Sequence, residues 1–101
     1  MLAFFTIVPL GKGESISGYV TKVAEAVDRS GLEYKLTSMG TVVEGDWDEV
    51  MALIKRCHGV MAKYADRVMT TVTVDDRKRA KNRLKGKVDS VLEKTKRKIK
   101  V

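Results

Sequence analysis

The chain has 101 residues, 44% of them hydrophobic and 33% charged, with one proline and one cysteine. That length suits one domain, and the composition excludes a disordered tail, a fibre or a disulfide-stapled scaffold. The net charge of +7 is unevenly placed: residues 77–101 hold twelve basic side chains against two acidic ones, a net +10, which leaves the preceding residues slightly acidic at −3. A domain this small buries a limited share of its surface, so self-association is an expected route to stability.

Leu2 to Pro9 is apolar on both alternating faces, with Leu2, Phe4, Thr6 and Val8 on one and Ala3, Phe5, Ile7 and Pro9 on the other, which predicts a central strand. No Lys or Arg precedes this run and it is too short to span a bilayer, so it reads as a strand of a cytoplasmic protein. Gly11 to Gly13 break the strand. Ser15 is placed to cap a helix whose stripe is Ile16, Val20, Val23, Ala24 and Val27 and which ends at Gly31. Glu33 to Ser38 and Thr41 to Glu44 predict two short strands joined at Met39-Gly40. Asp46, with Glu49 three residues on, forms a capping box for a helix striped by Trp47, Val50, Ile54, Cys57, Met61 and Tyr64. Arg67 to Val74 is rich in Val and Thr and predicts a strand. Asp75-Asp76 are placed to cap a last helix carrying Ala80, Leu84, Val88, Val91 and Leu92 and reaching towards Ile99.

The order βαββαβ plus one helix predicts an α+β, ferredoxin-like domain over residues 1–101. Its core spans 1–76, its antiparallel sheet runs in the order 4-1-3-2, and a basic C-terminal helix spans 77–101. Both earlier helices lie on one face. The other face stays open and apolar, and calls for the C-terminal helix or a second subunit. The topology brings the loop from Pro9 to Ser15, Ser17, the Met39-Gly40-Thr41 turn and Arg67 towards one end of the sheet. Glu44 to Asp46 and Asp75 to Arg77 fall towards the other.

The first cluster combines glycines, hydroxyls, a helix N-terminus and two cations. Gly11, Lys12 and Arg67 are therefore a candidate anion-binding group, although GKGES has neither P-loop nor dinucleotide-loop spacing. No catalytic or metal set assembles. His58 is the single histidine and has no Cys or acid at ligand spacing; Cys57 reads as a buried thiol; Ser17, His58 and Asp75 share no pattern that aligns them. The expectation is a non-enzymatic protein without metal or cofactor. The last helix, with Lys or Arg at nearly every polar position, offers an alternative role as a regulatory module binding nucleic acid or an acidic partner. Against nucleic acid, the third strand TVVEG lacks the stacking aromatics of an RNA-recognition sheet, and the body is acidic.

The segments PLG, Ser15-x-Ser17-x-Tyr19-Val20, LEYKLTSMGTVVEG, the lone His58 and RVMTTVTVDDR resemble the small thiamine-binding-like proteins, a family long counted as uncharacterised conserved proteins. The likeness covers most of residues 1 to 92. It implies a ferredoxin-like fold that associates as homodimers or homotetramers, and the non-catalytic binding of thiamine or its hydroxymethylpyrimidine moiety. It also implies a ligand site at Ser17, Met39, Gly40, Thr41 and Glu44, where a carboxylate such as Glu44 could accept from an exocyclic amine. The chain departs from the pattern at Gly18, where a second Ser is common, and in its long basic end from Lys94 to Val101. Expected partners are further copies of the chain and a small polar heterocycle, with no membrane.

Overall fold

In the computed structural model the elements run β1 (Leu2–Leu10), α1 (Ser17–Arg29), β2 (Glu33–Leu36), β3 (Thr41–Glu44), α2 (Trp47–Ala62), β4 (Arg67–Asp75) and α3 (Arg83–Lys94). The structure describes residues 1–11, 17–79 and 81–101, and of Ser17 the backbone alone. The expected cap Ser15, the cation Lys12 and the stripe residues Ile16 and Ala80 lie outside the described residues. The sheet order is β2-β3-β1-β4, all neighbours antiparallel, as the chain order predicts. β1 is central.

One face of that sheet is covered by α1 and α2. Ala3 and Phe5 of β1 and Val43 of β3 meet Ala26 and Val27 of α1 and Val50, Leu53, Ile54 and Cys57 of α2 in the core. Full burial of side chains the size of Val, Leu or Phe stabilises by about 1.5–3 kcal/mol each, so this layer holds the two helices to the sheet. The other face keeps Phe4, Val8 and Met69 exposed. Val8 and Met69 are cross-strand partners, so that apolar surface is continuous.

Helix α2 begins as expected: the Asp46 carboxylate accepts from the Glu49 amide at 2.8 Å and the Glu49 carboxylate accepts from the Asp46 amide at 3.3 Å. Its stripe needs two corrections. Trp47, the first helical residue after the N-cap Asp46, is 56% exposed, and Leu53 is buried where the three-four spacing passed it over. Tyr64 lies beyond the helix end at Lys63 and packs on Tyr19, with ring centroids 4.8 Å apart. β2 stops at Leu36, because Thr37 to Gly40 form the hairpin's turn.

The last helix differs most. It occupies Arg83–Lys94 rather than 77–101, and neither Asp75 nor Asp76 caps it. Its N-cap is Asn82, in the left-handed conformation with no side-chain cap bond, and the capping carboxylate comes from β3 instead. α3 buries no residue.

Candidate functional site

β1 pairs with β4 along its whole length, from Leu2 opposite Asp75 to Leu10 opposite Arg67, but with β3 only from Leu2 to Phe5. β3 begins at Thr41, opposite Phe5, and the chain before it turns away into the hairpin. Beyond Phe5 the β3 side of β1 therefore has no strand beside it among the described residues. α1 crosses above that gap, and the result is a cleft of about 280 Å³, close to the lower end of the usual range for small-molecule pockets, about 300–1,000 Å³.

The cleft's floor is β1 from Phe5 to Val8, with Met61 of α2 below. One wall is Val20, Val23 and Ala24 of α1, and the other is Leu36 to Thr41 of the hairpin. None of these side chains is charged. The polar groups are main chain and the hydroxyls of Thr6, Thr37, Ser38 and Thr41. That is the usual composition of a binding site: apolar walls fix shape and a few polar groups fix orientation.

Two residues build the hairpin wall. The Thr37 hydroxyl accepts from the amides of Met39 and Gly40, at 3.2 and 3.1 Å, and donates to the Gly40 carbonyl at 2.7 Å. It is fully engaged in closing the turn. Gly40 is required by close approach: a Cβ there would lie 2.6 Å from Cζ of Phe4 and 2.9 Å from the Phe5 carbonyl oxygen. Only a residue without a side chain lets the turn press against β1.

Thr41 is different. It is buried, and its hydroxyl has no hydrogen-bond partner among the described residues. Thr41 lines the cleft, and among the described residues no fully enclosed side-chain nitrogen or oxygen is left unsatisfied. Met39, 80% exposed, stands at the rim. The structure brings Met39, Gly40 and Thr41 together at one cleft, and α1, which forms the facing wall from Val20, starts at Ser17.

It does not bring Glu44 or Arg67 to them. Thr41 and Val43 turn towards the helices, so Glu44 falls on the opposite face, level with Leu2. Both of its carboxylate oxygens accept from the first turn of α3, at 2.7 Å from the Arg83 amide and 3.2 Å from the Leu84 amide. Glu44 is the cap that α3 lacks within its own sequence. Neither Arg67 nor Lys35 forms an ion pair with it. Arg67 pairs with Leu10, five strand positions past Phe5 or about 17 Å along β1. Gly11, with φ of +82°, is next to Leu10, so Gly11 and Arg67 share the far end of the sheet and line no part of the cleft.

Asp75 completes the α3 attachment. Its carboxylate accepts from the Arg83 guanidinium and the Lys87 ammonium, each at 2.8 Å. The hydrogen bond from Arg83, and then that from Lys87, hold this carboxyl well below the usual carboxylate range. Two of the basic side chains of the C-terminal segment are therefore engaged in holding α3 to the sheet. His58 is exposed, with Nδ1 2.6 Å from the Thr70 hydroxyl. Cys57 is buried, and desolvation pushes its thiol up to about 11.

Sequence reasoning missed the cleft's cause. The signal was present: a strand of nine residues, β1, beside one of four, β3, leaves a strand end with a partner on one side only.

Fold and site together define a small ferredoxin-like α+β protein with a cleft, uncharged among its described lining residues, where its central strand outruns a neighbour. The chain belongs to the thiamine-binding protein family, whose model matches residues 3–92. A UPF0045 protein of Methanothermobacter thermautotrophicus is 41% identical over 95 residues, covering 91% of this chain and 96% of its own. MJ1052 of Methanocaldococcus jannaschii, of the same family, is 37% identical over 91 residues, covering 90% of this chain and 91% of its own. Its crystal structure matches with a TM-score of 0.84 over 91% of this chain and 95% of that one. A Thermotoga maritima protein with a provisional role in thiamine biosynthesis or salvage shares the fold, with a TM-score of 0.78 at 19% identity, covering 89% of this chain and 96% of that one. No helix among the described residues is long and apolar enough to cross a membrane.

Proposed function

We propose that the protein binds a small heterocycle, thiamine or a hydroxymethylpyrimidine-like compound, in the cleft beside β1, without catalysing a reaction on it, and does so as an oligomer. The observation that carries this reading is the cleft itself: apolar walls, no charge among the described lining residues, and a Thr41 hydroxyl with no partner among the described residues. Family membership supplies the ligand class. We assign Met39, Gly40 and Thr41 to the ligand and Glu44 to the capping of α3. Ser17 joins the site on the family resemblance alone.

Isothermal titration of the purified protein with thiamine and with hydroxymethylpyrimidine tests this. Heat from at least one, lost or weakened in Thr41→Val, is the expected result; silence from both overturns it. Self-association is supported by the continuous apolar surface of Phe4, Val8 and Met69 and by Val88 and Val91 of α3, exposed on a helix that buries nothing. Light scattering at micromolar concentration should give a dimer or tetramer, and a monomer there contradicts it.

A further inference from the structure

Three observations establish which way the main chain of β1 points. The Met1 carbonyl accepts from the Gly45 amide at 3.1 Å, on the β3 side. The Phe5 carbonyl oxygen lies against Gly40, on that same side. Pro9, which has no N–H, sits opposite Val68 of β4, a position that a paired strand tolerates only where the missing donor faces away from its neighbour. Along a strand, alternate residues direct their N–H and C=O to the same side. The odd-numbered residues of β1 therefore face β3, and the even-numbered ones face β4.

Ala3 and Phe5 meet β3 through these groups, and Ile7 is the next odd residue. It lines the cleft, and β3 does not reach it. Its N–H and C=O consequently point side by side into the cleft, with no strand to take them among the described residues. The exposed edge is one residue long. Phe5 closes it on one side, and Pro9, without an amide, cannot extend it on the other. An added peptide strand needs a longer row of alternating donors and acceptors, so this edge suits a small bidentate molecule and not a β-strand.

Building on the function proposed above, we infer that the Ile7 main chain reads the ligand. Its N–H donates to a ring nitrogen, and its C=O accepts from an adjacent exocyclic amine of a neutral, planar nitrogen heterocycle. The Thr41 hydroxyl takes a further polar group. Neutrality follows from the lining, which offers no carboxylate to a cation and no cation to a phosphate among the described residues. The pyrimidine half of thiamine has this donor and acceptor pair; its cationic thiazolium finds no counter-charge among the described lining residues.

The test compares two probes by calorimetry on the full chain: 4-amino-5-hydroxymethyl-2-methylpyrimidine and the same compound lacking the 4-amino group. Loss of the amine leaves the Ile7 carbonyl unpaired in a desolvated cleft, so the second probe should bind at least about tenfold more weakly. In ¹⁵N-labelled protein the Ile7 amide should shift and exchange more slowly when the first probe is present. Equal affinity for the two probes, with an unmoved Ile7 amide, overturns this inference while leaving the cleft as a binding site. No binding of either probe or of thiamine overturns the functional reading and this one with it.

Discussion

The two ends of this small sheet hold their neighbours by opposite means. At one end β1 outruns β3, and a cleft without charge among its described lining residues is left with a main-chain edge and the Thr41 hydroxyl, which has no partner among the described residues. At the other end two carboxylates, Glu44 and Asp75, flank Leu2 and grip Arg83, Leu84 and Lys87 of α3 through four bonds between 2.7 and 3.2 Å. Polar groups are sparse and open where a ligand is wanted, and dense and mutually satisfied where a helix must be fastened. The difference explains why Glu44, three residues from Thr41, belongs to another site. In a strand an odd spacing changes the face.

That comparison can be broken most forcefully at Gly40. Gly40→Ala places a methyl within contact-forbidden distance of the Phe4 ring and the Phe5 carbonyl, and the carbonyl, being backbone, cannot swing aside. We expect a loss of about 1–3 kcal/mol of stability, read by urea unfolding, together with loss of ligand binding as the hairpin wall lifts away. Unchanged stability would show that the wall does not press on β1.

Thr41→Val should separate binding from folding. The substitution keeps the shape and removes a buried hydroxyl that makes no bond within the described protein, so stability should stay level or rise slightly. Affinity for the pyrimidine should fall about five- to tenfold. A marked loss of stability would mean that the hydroxyl is structurally engaged after all.

Changes at the carboxylate end should leave binding alone. Glu44→Ala exposes the Arg83 and Leu84 amides, a capping loss of about 1 kcal/mol, and because α3 buries no residue the damage should stay local. Hydrogen exchange should quicken in α3 only, and pyrimidine affinity should hold within twofold. Asp75 adds a pH signature. Its folded pKa is lowered, so its contribution is complete above the ordinary aspartate value, about pH 4, and is lost as pH falls from there towards the lowered one. Asp75→Asn should remove that part of the acid dependence of α3 protection, and an unaltered acid profile would contradict the assignment. The smallest effect concerns Cys57: with its thiol raised to about 11 and buried, it should react with a thiol reagent at pH 8 only on unfolding. Fast labelling of the native protein would show that the core opens there.

Much of this was legible in the residues. The alternation of β1, the Asp46 and Glu49 capping box and the Val/Thr run of β4 are local signals, and together with the handedness of crossovers they lead to the observed strand order. Contacts between distant segments were not. The bonds from Glu44 to Arg83 and Leu84 span 39 and 40 residues, and with that remote cap α3 starts at Arg83, six residues later than the basic run suggested. Asp75-Asp76 looked like a cap because aspartate before a helix is one locally, whereas Asp75 serves as a side-chain partner instead. The turn at Met39-Gly40 was recognisable, but the engagement of Thr37 and the freedom of Thr41 depend on which hydroxyl faces the turn and which the cleft. The pattern of residue types does not encode that.

The most direct test of the account is a ¹⁵N–¹H chemical-shift map during titration with 4-amino-5-hydroxymethyl-2-methylpyrimidine. The account predicts changes gathered at Ile7, Val20 to Ala24 and Thr37 to Thr41, with Glu44, Arg83 and Leu84 unmoved. Changes centred on Glu44 and the start of α3, with the β1 edge silent, would contradict it.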